Sequence, residues 1–141
     1  MVLADVSGKT WMAIGETDDP NAVIESYEAA AAITKGDPVY LSADDKVSPA
    51  AADQNCIGIA VDTVALGAMC PVLTRGRVKV KAGGAITRGK AVKGADASKR
   101  VVALADINEG GAATYSWTLK LGWALETTTA ADDLFFIFVE K

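Results

Sequence analysis

The sequence predicts an all-β fold: a compact, β-barrel-like domain built from an internal repeat and led by an extended N-terminal arm. Three observations predict it. Short runs alternate apolar and polar residues with period two, turn residues separate those runs, and one phrase occurs twice, as AITKGDPVYL (Ala32–Leu41) and AITRGKAVKG (Ala85–Gly94). At 141 residues the chain fits one domain, long enough to bury a core without metal or disulfide help. Half of it is apolar, much of that alanine and valine, and 13 residues are glycine, which suits short strands better than a helical bundle.

Residues 1–23 read as the arm and residues 24–141 as a single β-rich domain. The opening stretch, MVLADVSGKTWMAIGETDDPNAVIESYE, has no counterpart in the repeat, and its GETDDPNA segment is turn and linker chemistry. Its apolar side chains, Val2, Leu3, Val6, Trp11, Met12 and Ile14, are too many for a random tail and too few for a core. Such a segment orders by docking, here on a partner rather than on its own barrel. NAVIESYEAAAAI (Asn21–Ile33) has the alanine content of a short helix, but it leads straight into the repeated phrase, which favours an extended strand.

The repeat covers about residues 32–73 and 85–138. Ala32–Gly36 aligns with Ala85–Gly89 at an offset of 53 residues, and Ile57–Leu73 aligns with Leu121–Phe138 at an offset of 64. The extra length lies in Ile107–Lys120, and two matches in the same order make duplication the better account. Gly36 and Gly89 mark sharp turns that need positive φ. Ile33, Val39, Leu41, Ile86 and Val92 are expected to point inward. In IGIAV and LGWAL, small Gly58, Ala60, Gly122 and Ala124 alternate with large Ile57, Ile59, Val61, Leu121, Trp123 and Leu125. The large residues should face the core and the small ones an approaching backbone. RVKVKA sets Arg77, Lys79 and Lys81 on one wet basic face, and TYSWTLKL alternates in the same way. LFFIFV (Leu134–Val139) is apolar on both faces and needs an extra layer or a second subunit over the outer one.

Chemistry-bearing motifs are absent or weak. There is no histidine, which removes the usual general base and metal ligand, and no G-x-S-x-G elbow. Cys56 and Cys70 lack the partners for a zinc site and read as small buried apolar residues. SGKT (Ser7–Thr10) lacks the glycine a phosphate loop needs, because Leu3 stands there. The pairs Asp18/Asp19, Asp44/Asp45 and Asp132/Asp133 read as solvated turn acids. No apolar run approaches the roughly 20 residues that span a bilayer, and the N-terminus lacks the pattern of a secretory signal, so synthesis in the cytoplasm is expected.

The net charge of −4 conceals segregation: residues 1–62 sum to −8, 63–104 to +8 and 105–141 to −4. Acid-to-base contact between copies is one reading. Nucleic-acid binding is disfavoured, since Arg75–Arg100 contains no aromatic to stack on bases.

The order ITKGDPVYL…IGIAVDTV…PVLTRGRVKV…GGAITRGKAVK…GWALET…DDLFFIFV resembles the capsid decoration, or cement, proteins of tailed viruses of prokaryotes, over about residues 24–141. The resemblance implies a β-tulip fold and a non-enzymatic virion protein on the outer capsid surface. There a homotrimer would bind the major capsid protein and stabilise the head against packaged DNA, using no cofactor, nucleic acid, membrane or small-molecule substrate. The capsid contact would map onto Val2, Leu3, Val6, Trp11, Met12 and Ile14. The subunit interface would draw on Arg77, Lys79, Lys81, Phe136 and Phe138, where charge and the two-faced closing strand supply complementarity. The alternatives are a small β-clip or barrel module that binds a carbohydrate or sugar acid, and another adhesive virion part such as a spike or tail component.

Overall fold

The computed structural model describes residues 5–9, 11–50, 54–94, 100–104, 107–109, 112–114 and 119–141. Among them lie eleven strands and no helix. The strands are β1 (Val23–Ala29), β2 (Pro38–Ala43), β3 (Lys46–Pro49), β4 (Cys56–Ala60), β5 (Met69–Lys81), β6 (Ala91–Gly94), β7 (Val101–Ala103), β8 (Ile107–Glu109), β9 (Ala112–Thr114), β10 (Gly122–Ala124) and β11 (Leu134–Glu140). Asn21–Ile33 therefore contains the expected strand, over Val23–Ala29, despite its alanines: β1 closes a barrel, and sheet pairing overrides helix propensity.

Nine strands form one sheet in the order β1-β3-β2-β4-β5-β11-β10-β6-β7, and a further β1–β5 pairing closes the first five into a barrel. The long β5 serves both repeats. Its Met69–Arg75 half pairs with β1, and its Arg75–Lys81 half pairs with β11. β8 and β9 form a separate hairpin within the extra stretch of the second copy.

The duplication is visible bond by bond. Gly36 N donates to Ala60 O at 2.8 Å, and Gly89 N donates to Ala124 O at 2.7 Å. Ile33 bridges Val64, and Ile86 bridges Thr128. Ala30 N reaches Val47 O as Gly83 N reaches Val101 O, and Val61 N reaches Pro71 O as Leu125 N reaches Phe136 O. Gly36 and Gly89 take φ values of 94° and 85°, the left-handed region the turn demands. This register assigns β1-β2-β3-β4 and the first half of β5 to one copy. The second half of β5 with β6-β7-β10-β11 forms the other, its ring completed by a parallel bridge between Ala82 and Val101.

Two glycines show why small residues recur. A Cβ on Gly58 would lie 2.2 Å from Leu73 O, and one on Gly122 would lie 1.9 Å from Phe138 O, so the facing strand leaves room only for hydrogen. The larger residues beside them do not all face the core. Ile59 and Leu121 are fully buried, but Leu125 is exposed and Ile57, Val61 and Trp123 are only partly covered, while small Ala60 and Ala124 are buried. Leu41 is likewise exposed, because β2 outruns the barrel wall at its C-terminal end, while Ile33, Val39, Ile86 and Val92 are buried as expected. Of TYSWTLKL, residues 115–118 lie outside the described residues, and Leu119–Leu121 are not in a strand.

Two apolar clusters result. One gathers Ile59, Leu73, Val78, Val80, Ile86, Val92, Leu121, Phe135 and Ile137 across both copies. The other gathers Ala29, Ile33, Val39, Val47, Ala60, Cys70 and Val72 within the first barrel. Cys56 and Cys70 are free and buried. Burial pushes their thiols up to about 12 and about 11, so neither is a nucleophile near neutral pH.

Candidate docking surface

The leader, as far as it is described, lies on its own body rather than extending from it. Asp5 bridges Leu134 of β11, and Val6 N donates to Leu134 O at 2.9 Å. Further along, Gly15 N donates to Lys79 O at 2.7 Å while Lys79 N donates to Glu16 O at 3.1 Å. With φ at 80° for Gly15, this is a glycine bulge that pairs the leader antiparallel to β5 on the edge away from β11. A Cβ on Gly36 would meet Ile14 Cγ1 at 2.5 Å, so Ile14 seats on the turn of the first copy while Gly15 and Glu16 hold a strand of the second. The leader is a strap across the two.

Lys79 is the centre of the clasp. The wet basic face expected for Arg77, Lys79 and Lys81 fails at this residue, whose side chain is 0 % exposed. Its ammonium donates to Lys9 O at 3.0 Å, to Met12 O at 2.8 Å, and to the Asp5 carboxylate. All three acceptors belong to the leader, which satisfies every proton of the ammonium and makes its burial tolerable. Of the residues expected at the subunit interface, Lys79 is thus buried within its own chain, and so is Phe136, which lies beneath the strap with Lys9 and Arg77 5.5 and 5.9 Å from its ring centre. The extra layer required over LFFIFV is, at Phe136, the leader itself.

The remaining contacts match acids of the leader to bases of the body. Arg77 Nε donates to Asp18 Oδ1 at 2.8 Å and Lys35 lies 3.1 Å from Glu16, while Lys9 pairs with Asp18 within the leader itself. Part of the charge segregation is therefore neutralised inside one chain. Burial alone would raise the Asp5 carboxyl, but hydrogen bonds from Lys79 and Ser7 outweigh it and hold the group below its ordinary value. The hydrogen bond from Lys9, with Arg77 beside it, lowers Asp18 against a smaller burial effect.

What the strap leaves outside is equally defined. Trp11 is 76 % exposed and Val6 36 %, although the segment that carries them is tied to the body. Trp11, Met12, Gly15, Glu16, Thr17, Asp18, Lys35 and Val61 line an open groove beside the strap. Met12 and Ile14 are partly buried, as are Arg77, Lys81 and Phe138. Val2 and Leu3 lie outside the described residues. Nothing in the strand pattern announces the Lys79 cage, since an alternating strand lysine normally points to water. Among the described residues, no group of three His, Cys, Asp or Glu side chains could hold a metal ion.

The family model for phage cement protein matches residues 51–140, most of the repeat. The chain belongs to the phage cement protein family. It is accordingly a structural, capsid-associated virion protein. Among solved structures, the N base of head fiber gp8.5 in bacteriophage phi29 shares its fold, with a TM-score of 0.58 at 18 % identity over 84 % of this chain and 94 % of that one. No curated protein matches the chain.

Proposed function

We propose that this cement protein binds the outside of an assembled icosahedral capsid as a homotrimer, contacts the major capsid protein, and stabilises the head against the pressure of packaged DNA. It does so by adhesion and performs no reaction. It is made in the host cytoplasm and acts on the virion. The observation that carries the reading is Trp11, a large apolar side chain held 76 % exposed by a strap that Lys79 fixes in place. An anchor already immobilised loses little entropy on docking, so more of its burial appears as affinity. Val6, 36 % exposed, is carried on the same leader, Met12 and Ile14 are partly buried in it, and the capsid contact would draw on these three and Trp11 together with Val2 and Leu3. Arg77, Lys81 and Phe138 remain candidates for the contact between subunits. Three straps on one trimer multiply weak contacts through effective concentration. That the phi29 neighbour is the base of a head fiber supports a place on a head.

The test is co-sedimentation with expanded heads, alongside light scattering to read the oligomeric state. Trp11→Ala is expected to weaken attachment by about 2 kcal/mol or more per contact, the usual value for a buried aromatic anchor. Melting of the isolated protein should not change. Saturation of heads by Trp11→Ala at the wild-type concentration would remove the leader from the capsid contact.

A further inference from the structure

We propose that the outer edge of β1, at Ile24–Ser26, receives an extended segment of a capsid subunit, which adds a strand to the first barrel. This rests on the capsid-binding reading above. The duplication carries it, because the equivalent edge in the second copy is already filled. Lys79 of β5 stands 53 residues beyond Ser26, the offset of the repeat. Lys79 is opposite Phe136, whose carbonyl accepts from Leu125 N on the far side, so the Lys79 N–H and C=O point away from β11 and pair with the leader. Ser26 is opposite Pro71, whose carbonyl accepts from Val61 N in the same way, so the Ser26 N–H and C=O also point outward. β3 reaches this edge only at Glu28 and Ala29. Among the described residues nothing pairs with the outward groups of Ser26.

Exposed edge groups of this kind are the acceptor in strand addition, and soluble proteins ordinarily blunt them with charge, proline or a cover. Here Val23 and Ile24, 41 % and 48 % exposed, flank the open edge on its two faces. In the second copy a basic strand takes an acidic leader. In the first the strand carries Glu25 and Glu28, so the charge is reversed and the incoming segment should alternate apolar side chains with Lys or Arg. A second copy is a poor source of that segment. Its leader has the wrong sign, with Asp5, Glu16, Asp18 and Asp19 already engaged, and its basic alternating run Arg75–Lys81 is built into β5. The capsid association of the cement family makes a capsid subunit the occupant.

The experiment uses the full chain with expanded heads. Ser26→Pro removes the outward N–H at a place where an edge strand tolerates proline, and Ile24→Lys sets a like charge against a basic segment without touching the barrel core. Both are expected to lower head affinity at least tenfold with melting and oligomeric state unchanged. The amides of Ile24 and Ser26 should exchange at least tenfold more slowly on heads than free in solution. If Ser26→Pro fails to fold, Ile24→Lys and the exchange rates decide alone. Unchanged affinity with unchanged exchange would overturn the edge while wild-type binding leaves the capsid reading standing. A variant that dissociates the oligomer would overturn it in favour of a second copy, and a wild type that binds no heads would overturn both readings.

Discussion

The two copies of the repeat share their hydrogen bonds and differ in what covers them. In the second, the half of β5 from Gly76 to Lys81 is almost wholly buried, with the leader across its outer edge and Phe136 opposite Lys79 on β11. In the first, Val23–Ser26 of β1 is exposed along its length. A duplicated backbone thus provides two equivalent edges, and the described leader lies across one of them. The difference teaches that the ladder is set by the repeat, whereas function is placed by what breaks its symmetry.

The largest expected effect tests the symmetry itself. Gly58→Ala and Gly122→Ala each drive a methyl group into a strand carbonyl, at the same step of each copy. Both should destabilise by about 3 kcal/mol or more, the upper range for overpacking, read as a fall in thermal midpoint. A large loss in one and none in the other would break the equivalence of the copies.

Next comes the cover. Lys79→Met leaves the carbonyls of Lys9 and Met12 and the Asp5 carboxylate without their shared donor, and should cost about 3 kcal/mol in urea unfolding, in line with breaking a buried pair. Ser26→Met, at the equivalent position, should stay within about 0.5 kcal/mol as an exposed substitution. Equal effects would mean that the strap contributes nothing to the asymmetry.

A smaller effect sharpens the electrostatic part. Asp5 and Asp18 titrate below their ordinary value of 3.8 in the folded chain. A group with a depressed folded pKa contributes stability above its unfolded pKa and loses it as pH falls through the folded one. The strap should therefore be intact near neutrality and loosen progressively once pH drops below about 4, seen as faster exchange at the Gly15 amide. Asp5→Asn should remove part of that pH dependence without abolishing the fold.

Local chemistry in the sequence was sufficient for much of this. The offset of 53 residues, the turn glycines Gly36 and Gly89, the close-approach glycines Gly58 and Gly122, and the strand character of LFFIFV depend on neighbours a few residues away, so their residue types declare them. β1 was legible for another reason, because its place before the repeated phrase outweighed its alanines. The sharing of β5 between two copies, the burial of Lys79 and the open edge at Ser26 depend on which distant segments meet. Strand alternation says which side chains share a face and nothing about what lies over it. A leader with Trp11 and Asp5 was bound to dock somewhere; only the folded chain decided that its acids and carbonyls would meet the Lys79 ammonium first, leaving Trp11 turned outward.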